Sequence, residues 1–380
     1  MTPGARAHAA ISVLDEILDS AAPGPLLRGP SAEAVLTRWA RSARYAGSGD
    51  RAAVRDLVFS ALRRLRSSAA FGGALTGRGV IAGLLCGRGE DPQAVFTGEG
   101  HAPLPPTSEE KESRRAPTAE ESLDMPDWLL PELRRSLGGQ VETVCAMLRD
   151  RAPVHLRVNT RKTDIQTLLQ DLAAEGIDAR RHPLSPTALE VVSGERRLRT
   201  SAAMRDGHAE LQDAASQAVA DFVPVEDGMR VLDICAGGGG KSLALAARGA
   251  RVAAWDLAPG RMRDIPERAD RAGVHVEILD EPGRGWDVIL CDAPCSGSGA
   301  WRRSPDAKWR LEPERLQDLV AIQRAILEDA ARRLVPGGRI VYATCSLFDA
   351  ENRHVEQPER ELRLSPADGA DGFYAALFQP

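Results

Sequence analysis

Two cysteines are set in surroundings suited to chemistry. Cys295 lies in VILCDAPCSGSGAWRRSPDAKWR and Cys345 in GRIVYATCSLFDAEN, each just after an apolar run and beside small or polar residues. A thiol at the tip of a buried strand, next to a small-residue loop, can attack a flat base held there. An acid, Asp292, ends the apolar run before Cys295. Upstream, VLDICAGGGGKSLALAA puts Gly237, Gly238, Gly239, Gly240 and Lys241 between a strand ending at Asp233 and an Ala/Leu-rich helix. Backbone can approach a nucleotide-like ligand closely there. Three ligands compete. A phosphate loop needs its first Gly where Cys235 stands, and a dinucleotide fingerprint needs spaced rather than contiguous glycines. S-adenosylmethionine fits better, since its methionine part needs only close backbone approach. Its ribose needs an acid at the end of the second strand, where Asp256 closes VAAWD, 19 residues after Gly237. A thiol beside a methyl donor suits methylation of a pyrimidine at C5. That carbon becomes nucleophilic only after a thiolate adds at C6, and a base must later remove the C5 proton. Asp292 is placed to hold cytosine N3 and N4.

The elements that position these groups follow from the apolar rhythm. From about residue 229, MRVLDIC, RVAAWD, VHVEIL, WDVILCD and GRIVYATC are near-continuous apolar runs separated by helix-length segments, the pattern of a parallel sheet buried on both faces. Ligand sites of such sheets lie outside the strands' carboxyl ends, so the Gly loop, Asp292, Cys295 and Cys345 converge on one crevice. The C-terminal GFYAALF is expected as an edge strand. Cys86, Cys145, Cys235 and Cys291 read as core packing. The six cysteines contain no CxxC pair, and only His354 is near in sequence, so no metal site is expected.

The chain has 380 residues with 43% hydrophobic and 27% charged residues, a globular composition with room for two or three domains. No apolar run is long enough to span a bilayer, and MTPGARAHAA carries no signal-peptide core, so a cytoplasmic protein is expected. Residues 1–90 hold 12 Arg, no Lys and seven acidic residues, a local charge of +5 in a chain of −5. Their periodicity predicts short helices with a basic surface, open to solvent or to an RNA or protein partner. Residues 91–126, with six prolines and eight acidic residues, read as a mobile linker. Residues 127–200 combine helices with VHLRVNT, DIQTLLQDLAAEG, DARRHP and ALEVV as an α+β module, and 201–380 form the sheet domain.

These residues together resemble the NOL1/NOP/Sun RNA cytosine-C5 methyltransferases, specifically the bacterial Sun-type ribosomal RNA enzymes with a NusB-like N-terminal domain. The likeness rests on AGSGDRAAVRDLVFSALRRLRS, LRVNTRKT, LQDAASQ, DAPCSGSG with RRSPDAKW, TCS with EN, and DGFY. It implies an all-α NusB-like domain, a small α+β RNA-binding module, and a Rossmann-like class I methyltransferase domain with a mostly parallel seven-stranded sheet. It implies Cys345 as nucleophile and Cys295 as the group assisting product release. Cofactor positions map to Cys235, Ala236, Gly237, Gly238, Gly239, Gly240, Lys241, Asp256, Asp280 and Asp292. The implied partner is 16S ribosomal RNA or an early small-subunit assembly intermediate, met by a monomer, with Arg157, Asn159 and Arg161 as candidate RNA contacts. Two other readings remain: a nucleotide hydrolase with a degenerate phosphate loop, and a non-catalytic RNA-binding assembly factor. Where the family commonly has Ala-Pro-Gly-Gly-Lys, this chain has four glycines before Lys241. The stretch from Asn352 to Asp371 is shorter than expected, which puts the last helix and edge strand in doubt.

Lysine is rare, with four against 45 arginines, a ratio that codon bias accounts for. Lys241 and Lys308 are expected in or at the edge of the crevice and Lys162 in the RNA module, while Lys111 lies in the linker.

Overall fold

The computed structural model describes residues 1–18, 27 and 29–380. The chain forms two compact units, one of residues 1–151 with 301–315, the other of 152–300 with 316–380.

The helical unit is built on α1 (Pro3–Leu18), α2 (Ala32–Ser42), α3 (Ser48–Arg63), α4 (Leu65–Gly72) and α5 (Gly77–Gly87). Ala7, Ala10, Val13, Leu14 and Ile17 recur at helical spacing on α1 and pack with Val54, Val58, Leu62, Val80 and Ile81. The stretch read as a mobile linker packs on this bundle instead. Phe96 is buried in the core, Arg78 pairs with Glu110 at 2.6 Å, and Asp124 accepts from Ser67 N–H and Oγ. Its prolines limit the entropy lost on ordering, so acidic composition alone was a poor guide to mobility.

RRSPDAKW supplies a second correction. Lys308 is not at the crevice. It is buried in the helical unit, where Nζ donates to Arg63 O at 3.1 Å and lies 4.7 Å from the Trp309 ring centroid. Burial, against the pull of Asp124, lowers its pKa to about 8. Trp309 Nε1 donates to Leu62 O at 2.7 Å, and the Arg63 guanidinium donates twice to Arg302 O. Residues 301–315 are thus part of the helical bundle's own core.

The second unit holds both sheets. β1 (Val154–Val158), β2 (Asp178–Arg181), β3 (Ala188–Ser193) and β4 (Ala209–Leu211) form an antiparallel sheet ordered β2-β3-β1-β4. The helix Ile165–Ala174, capped by Asp164, buries Leu168 and Leu172 against Leu156, Val158 and Leu189. β4 extends this module past the boundary expected at residue 200.

The large sheet has seven strands: β5 (Arg230–Asp233), β6 (Arg251–Ala254), β7 (Val276–Ile278), β8 (Trp286–Asp292), β9 (Leu334–Thr344), β10 (Arg360–Leu364) and β11 (Phe373–Phe378). Their order is β10-β11-β9-β8-β5-β6-β7, parallel from β5 to β9, with β11 antiparallel to β9. Alternate residues serve two cores: Val231, Val288, Leu290 and Val341 pack on one face, and Leu232, Ile289, Cys291 and Tyr342 on the other. GFYAALF is not the edge. It lies inside the sheet, between β9 and the edge strand β10, which forms from the segment that had been in doubt. Strand order reverses between β5 and β8, so their carboxyl ends open a crevice.

α4 and α5 cross so closely that a Cβ on Gly83 would lie 1.8 Å from Ser68 O. At an open helix position Gly→Ala stabilises. Here Gly83→Ala should destabilise by roughly 2–3 kcal/mol through overpacking, read as a lower urea midpoint of helical signal.

Candidate active site

The crevice has a volume of about 810 Å³ and is lined by the tips of β5, β6 and β8, the Gly loop, the helix Pro313–Ala331, Cys345 and Phe373. Of the residues expected to meet the cofactor, Cys235, Ala236, Gly237, Gly238, Gly240, Lys241, Asp256 and Asp292 line it; Gly239 and Asp280 do not. Gly239 turns the loop with φ of 77°, and a Cβ there would lie 2.7 Å from Ile265 Cγ1. Asp280 is exposed, and its carbonyl accepts from Trp255 Nε1 at 3.2 Å, so it touches the crevice only through that ring.

The loop with four glycines keeps a fixed turn. Gly237 has φ of 52° and its N–H donates to Asp256 Oδ2 at 2.9 Å, while Ala258 N–H donates to Oδ1. Asp256 is 3% exposed and also pairs with Arg261 at 3.1 Å. Arg261, itself largely exposed, is a lining residue that no motif in the sequence flagged.

Lys241 points across the crevice to Asp292, with Nζ 2.7 Å from Oδ2 and 4.9 Å from the Phe373 ring centroid. Burial works against the ammonium, but the charge and hydrogen bond of Asp292, with Asp233 behind, outweigh it and raise the Lys241 pKa. The pair joins the first helix after the Gly loop to the tip of β8. An ammonium committed to a carboxylate is poorly placed to bind phosphate, which weighs against a phosphate loop.

Asp233, which the sequence marks only as the end of a strand, lines the crevice. It is 1% exposed, accepts from Ser242 Oγ at 2.6 Å through Oδ2, and its Oδ1 has no partner. Burial drives its pKa up to about 6. A buried carboxylate on the wall of a ligand crevice suits a cationic ligand group.

Cys295 and Cys345 come together from loops 50 residues apart, with Sγ atoms separated by 3.4 Å. The Cys295 thiol is pushed well up, first by its hydrogen bond to Cys345 and then by burial. It therefore stays protonated beside its neighbour. Cys86, Cys145 and Cys291 do not line the crevice, and Cys145 and Cys291 are fully buried; Cys235 does line it, half-buried, with its thiol also pushed up by burial.

Two expected RNA contacts are corrected. Arg157 is buried and donates to Gln212 Oε1 at 2.7 Å and Gly240 O at 2.6 Å, bracing the Gly loop from behind. Asn159 is buried, and its Nδ2 donates to Gly207 O and Ala272 O at 2.8 Å. Both side chains are consumed internally; only Arg161 is exposed. Lys162 Nζ donates to Asp206 O and to Arg271 O in the last turn of the helix Ile265–Ala272.

The raised Asp233 pKa has a stability signature. Because the folded chain holds this proton more tightly than an ordinary carboxyl near 3.8, stability falls as pH rises from about 4 through about 6. Asp233→Asn should therefore stabilise by about 3 kcal/mol above pH 7, with the gain shrinking toward pH 4, measured by urea unfolding at both pH values.

Residues 221–363 match the model of the family described as 16S rRNA methyltransferase RsmB/F, and residues 125–195 match the RsmF/B-like ferredoxin-like domain. Ribosomal RNA small subunit methyltransferase B of Serratia proteamaculans is 32% identical over 292 residues, 67% of this chain and 66% of that protein. The probable ribosomal RNA small subunit methyltransferase B of Bacillus subtilis is 34% identical over 260 residues, 63% of this chain and 58% of that protein. The chain thus spans about two thirds or less of the length of these relatives. The crystal structure of PH0851 has the same fold, with TM-score 0.73, 22% identity and coverage of 99% of this chain and 98% of that one. A methyltransferase homologue from Pyrococcus horikoshii gives TM-score 0.58 at 22% identity over 67% of this chain and 95% of that one. On its two matched segments and these relatives, the chain belongs to the RsmB/F family of 16S rRNA methyltransferases.

Proposed function

We propose that the chain transfers a methyl group to C5 of a cytosine in 16S ribosomal RNA through a covalent adduct with Cys345. The observation that carries this reading is the pair of thiols, 3.4 Å apart, sharing one crevice with the Gly loop and the Lys241–Asp292 pair. S-adenosylmethionine is the family's cofactor, and the residues present fit it. Asp256 stands where a ribose diol would be held, and the unpartnered Oδ1 of Asp233 suits an ammonium. When bound it supplies an electrophilic methyl group on a sulfonium centre.

The roles of the side chains follow from their settings. Cys345, as thiolate, adds to C6 of the base and makes C5 nucleophilic. Asp292, held by Lys241, supports the protonated edge of the cytosine as the adduct forms. Cys295, kept as a thiol in the resting site, acts at the release step: it passes its proton to the departing Cys345 sulfur and takes up the C5 proton, while the C5–H electron pair re-forms the C5–C6 double bond. The target base has to leave any stack to reach the crevice. The natural partner is the ribosomal RNA or an early small-subunit intermediate, met in the cytoplasm by a monomer. Arg161 and the basic helical surface are candidate contacts.

Two comparisons test this. With RNA and cofactor, Cys345→Ala should give neither product nor adduct, and Cys295→Ala should trap a covalent RNA adduct on a denaturing gel; equal adduct from both would sink the roles. Lys241→Arg should lower methyl transfer by about tenfold or more, because a guanidinium does not fit the ammonium's place between Asp292 and Phe373. Lys111→Arg, at an exposed position, should stay within about twofold of wild type in the same tritium-transfer assay.

A further inference from the structure

The two cysteine turns are tied together by a carboxylate outside the crevice lining. Glu351 is fully buried. Its Oε1 accepts from Ser296 N–H at 2.8 Å and Gln323 Nε2 at 3.0 Å. Its Oε2 accepts from Ser296 Oγ and Ser346 Oγ, both at 2.5 Å. Ser296 follows Cys295 and Ser346 follows Cys345 in the chain. Four donors meet the roughly four lone-pair sites of a carboxylate, so none remains for a substrate.

The flanking residues complete the frame. Gln323 Nε2 also donates to Pro294 O at 2.9 Å, and its Oε1 meets His354 Nε2 at 2.9 Å. Asn352 Oδ1 accepts from Thr344 Oγ1 at 2.6 Å, while its Nδ2 donates to Ser346 O at 2.9 Å. The residues before and after each cysteine are therefore held by Glu351 and its two neighbours in this network. A cysteine has one side-chain torsion, so holding its backbone on both sides leaves its sulfur little freedom.

We propose that Glu351 is a positioning residue whose buried carboxylate locks the two cysteine turns together and sets the spacing of the Cys295 and Cys345 sulfurs. The physical reason for a charge here is its intolerance of separation. A buried carboxylate is stable only while its hydrogen bonds are made; Glu351 follows Cys345 in the chain, yet three of its four bonds come from Ser296 and Gln323 on the Cys295 side, so parting the turns would strand the charge. The negative charge also adds to the influences that keep the Cys295 thiol protonated. This role rests on the two-thiol reading above, since adduct formation and release at adjacent ring carbons need both sulfurs within reach of one base.

The test uses the 380-residue chain and a ruler independent of methylation. Diamide oxidises two close thiols to a disulfide and is itself reduced to the hydrazine, taking up both hydrogens. The rate of the Cys295–Cys345 link, followed by peptide mass spectrometry, therefore reports sulfur spacing. Glu351→Ala should slow the link by about tenfold or more, with S-adenosylmethionine affinity within about twofold of wild type because Glu351 is not a lining residue. Glu351→Gln, whose amide can accept the N–H donors and donate to the two hydroxyls, should rescue most of the rate. Ser296→Ala with Ser346→Ala keeps the fold's apolar packing and should slow the link if Glu351→Ala does not fold. Wild-type linking rates in Glu351→Ala, or in the double Ser variant, would overturn the proposal. In steady-state methyl transfer, kcat should fall with the link rate while KM for RNA is unchanged. A slowed link together with an absence of RNA adduct in every variant, Cys295→Ala included, would retain the positioning role and overturn the two-thiol reaction instead.

Discussion

The constraint on which this site depends is that its central strands are buried on both faces. β5, β8 and β9 pack against two separate cores, so a polar group on their length would have no partner. Only at their carboxyl ends can charged and nucleophilic groups meet a ligand. The reversal of strand order between β5 and β8 makes room for one there. Asp233, Asp292 and Cys345 each stand at or just past such an end, and the Gly loop follows from the first.

Charge in so enclosed a place must be paired or pushed toward neutrality. Lys241 and Asp292 take the first course, and their contact fixes the helix after the Gly loop against the tip of β8. Asp233 takes the second, held partly protonated near neutral pH by burial. Cys295 stays a thiol because a neighbouring sulfur and burial both disfavour its anion.

Much of this was legible in the chain. WDVILCD is β8 residue for residue, because a strand buried on both faces needs an unbroken apolar run and its polar end marks where burial stops. The small-residue loop after Asp292 and the TCS turn after β9 located both thiols. Less legible were features in which composition points one way and packing another. Acidic, Pro-rich residues 91–126 pack on the helical bundle because a few apolar and acidic groups, among them Phe96 and Asp124, find buried partners. Arg157 and Asn159 lie in a motif that suggested RNA, yet both spend their donors on backbone carbonyls and a glutamine within the fold. A lone Arg or Asn carries no sign of which way it faces.

By itself the sequence determined the strand rhythm, the Gly turn, the two reactive cysteines and the acid beside them, since each is a local pattern of residue type and spacing. Tertiary structure alone decided which charges pair, which sulfurs touch, and that the stretch carrying Lys308 belongs to the helical core. It also decided that Glu351 holds both cysteine turns. These are contacts between residues tens to hundreds of positions apart, set by strand order and side-chain direction, and no local pattern encodes them.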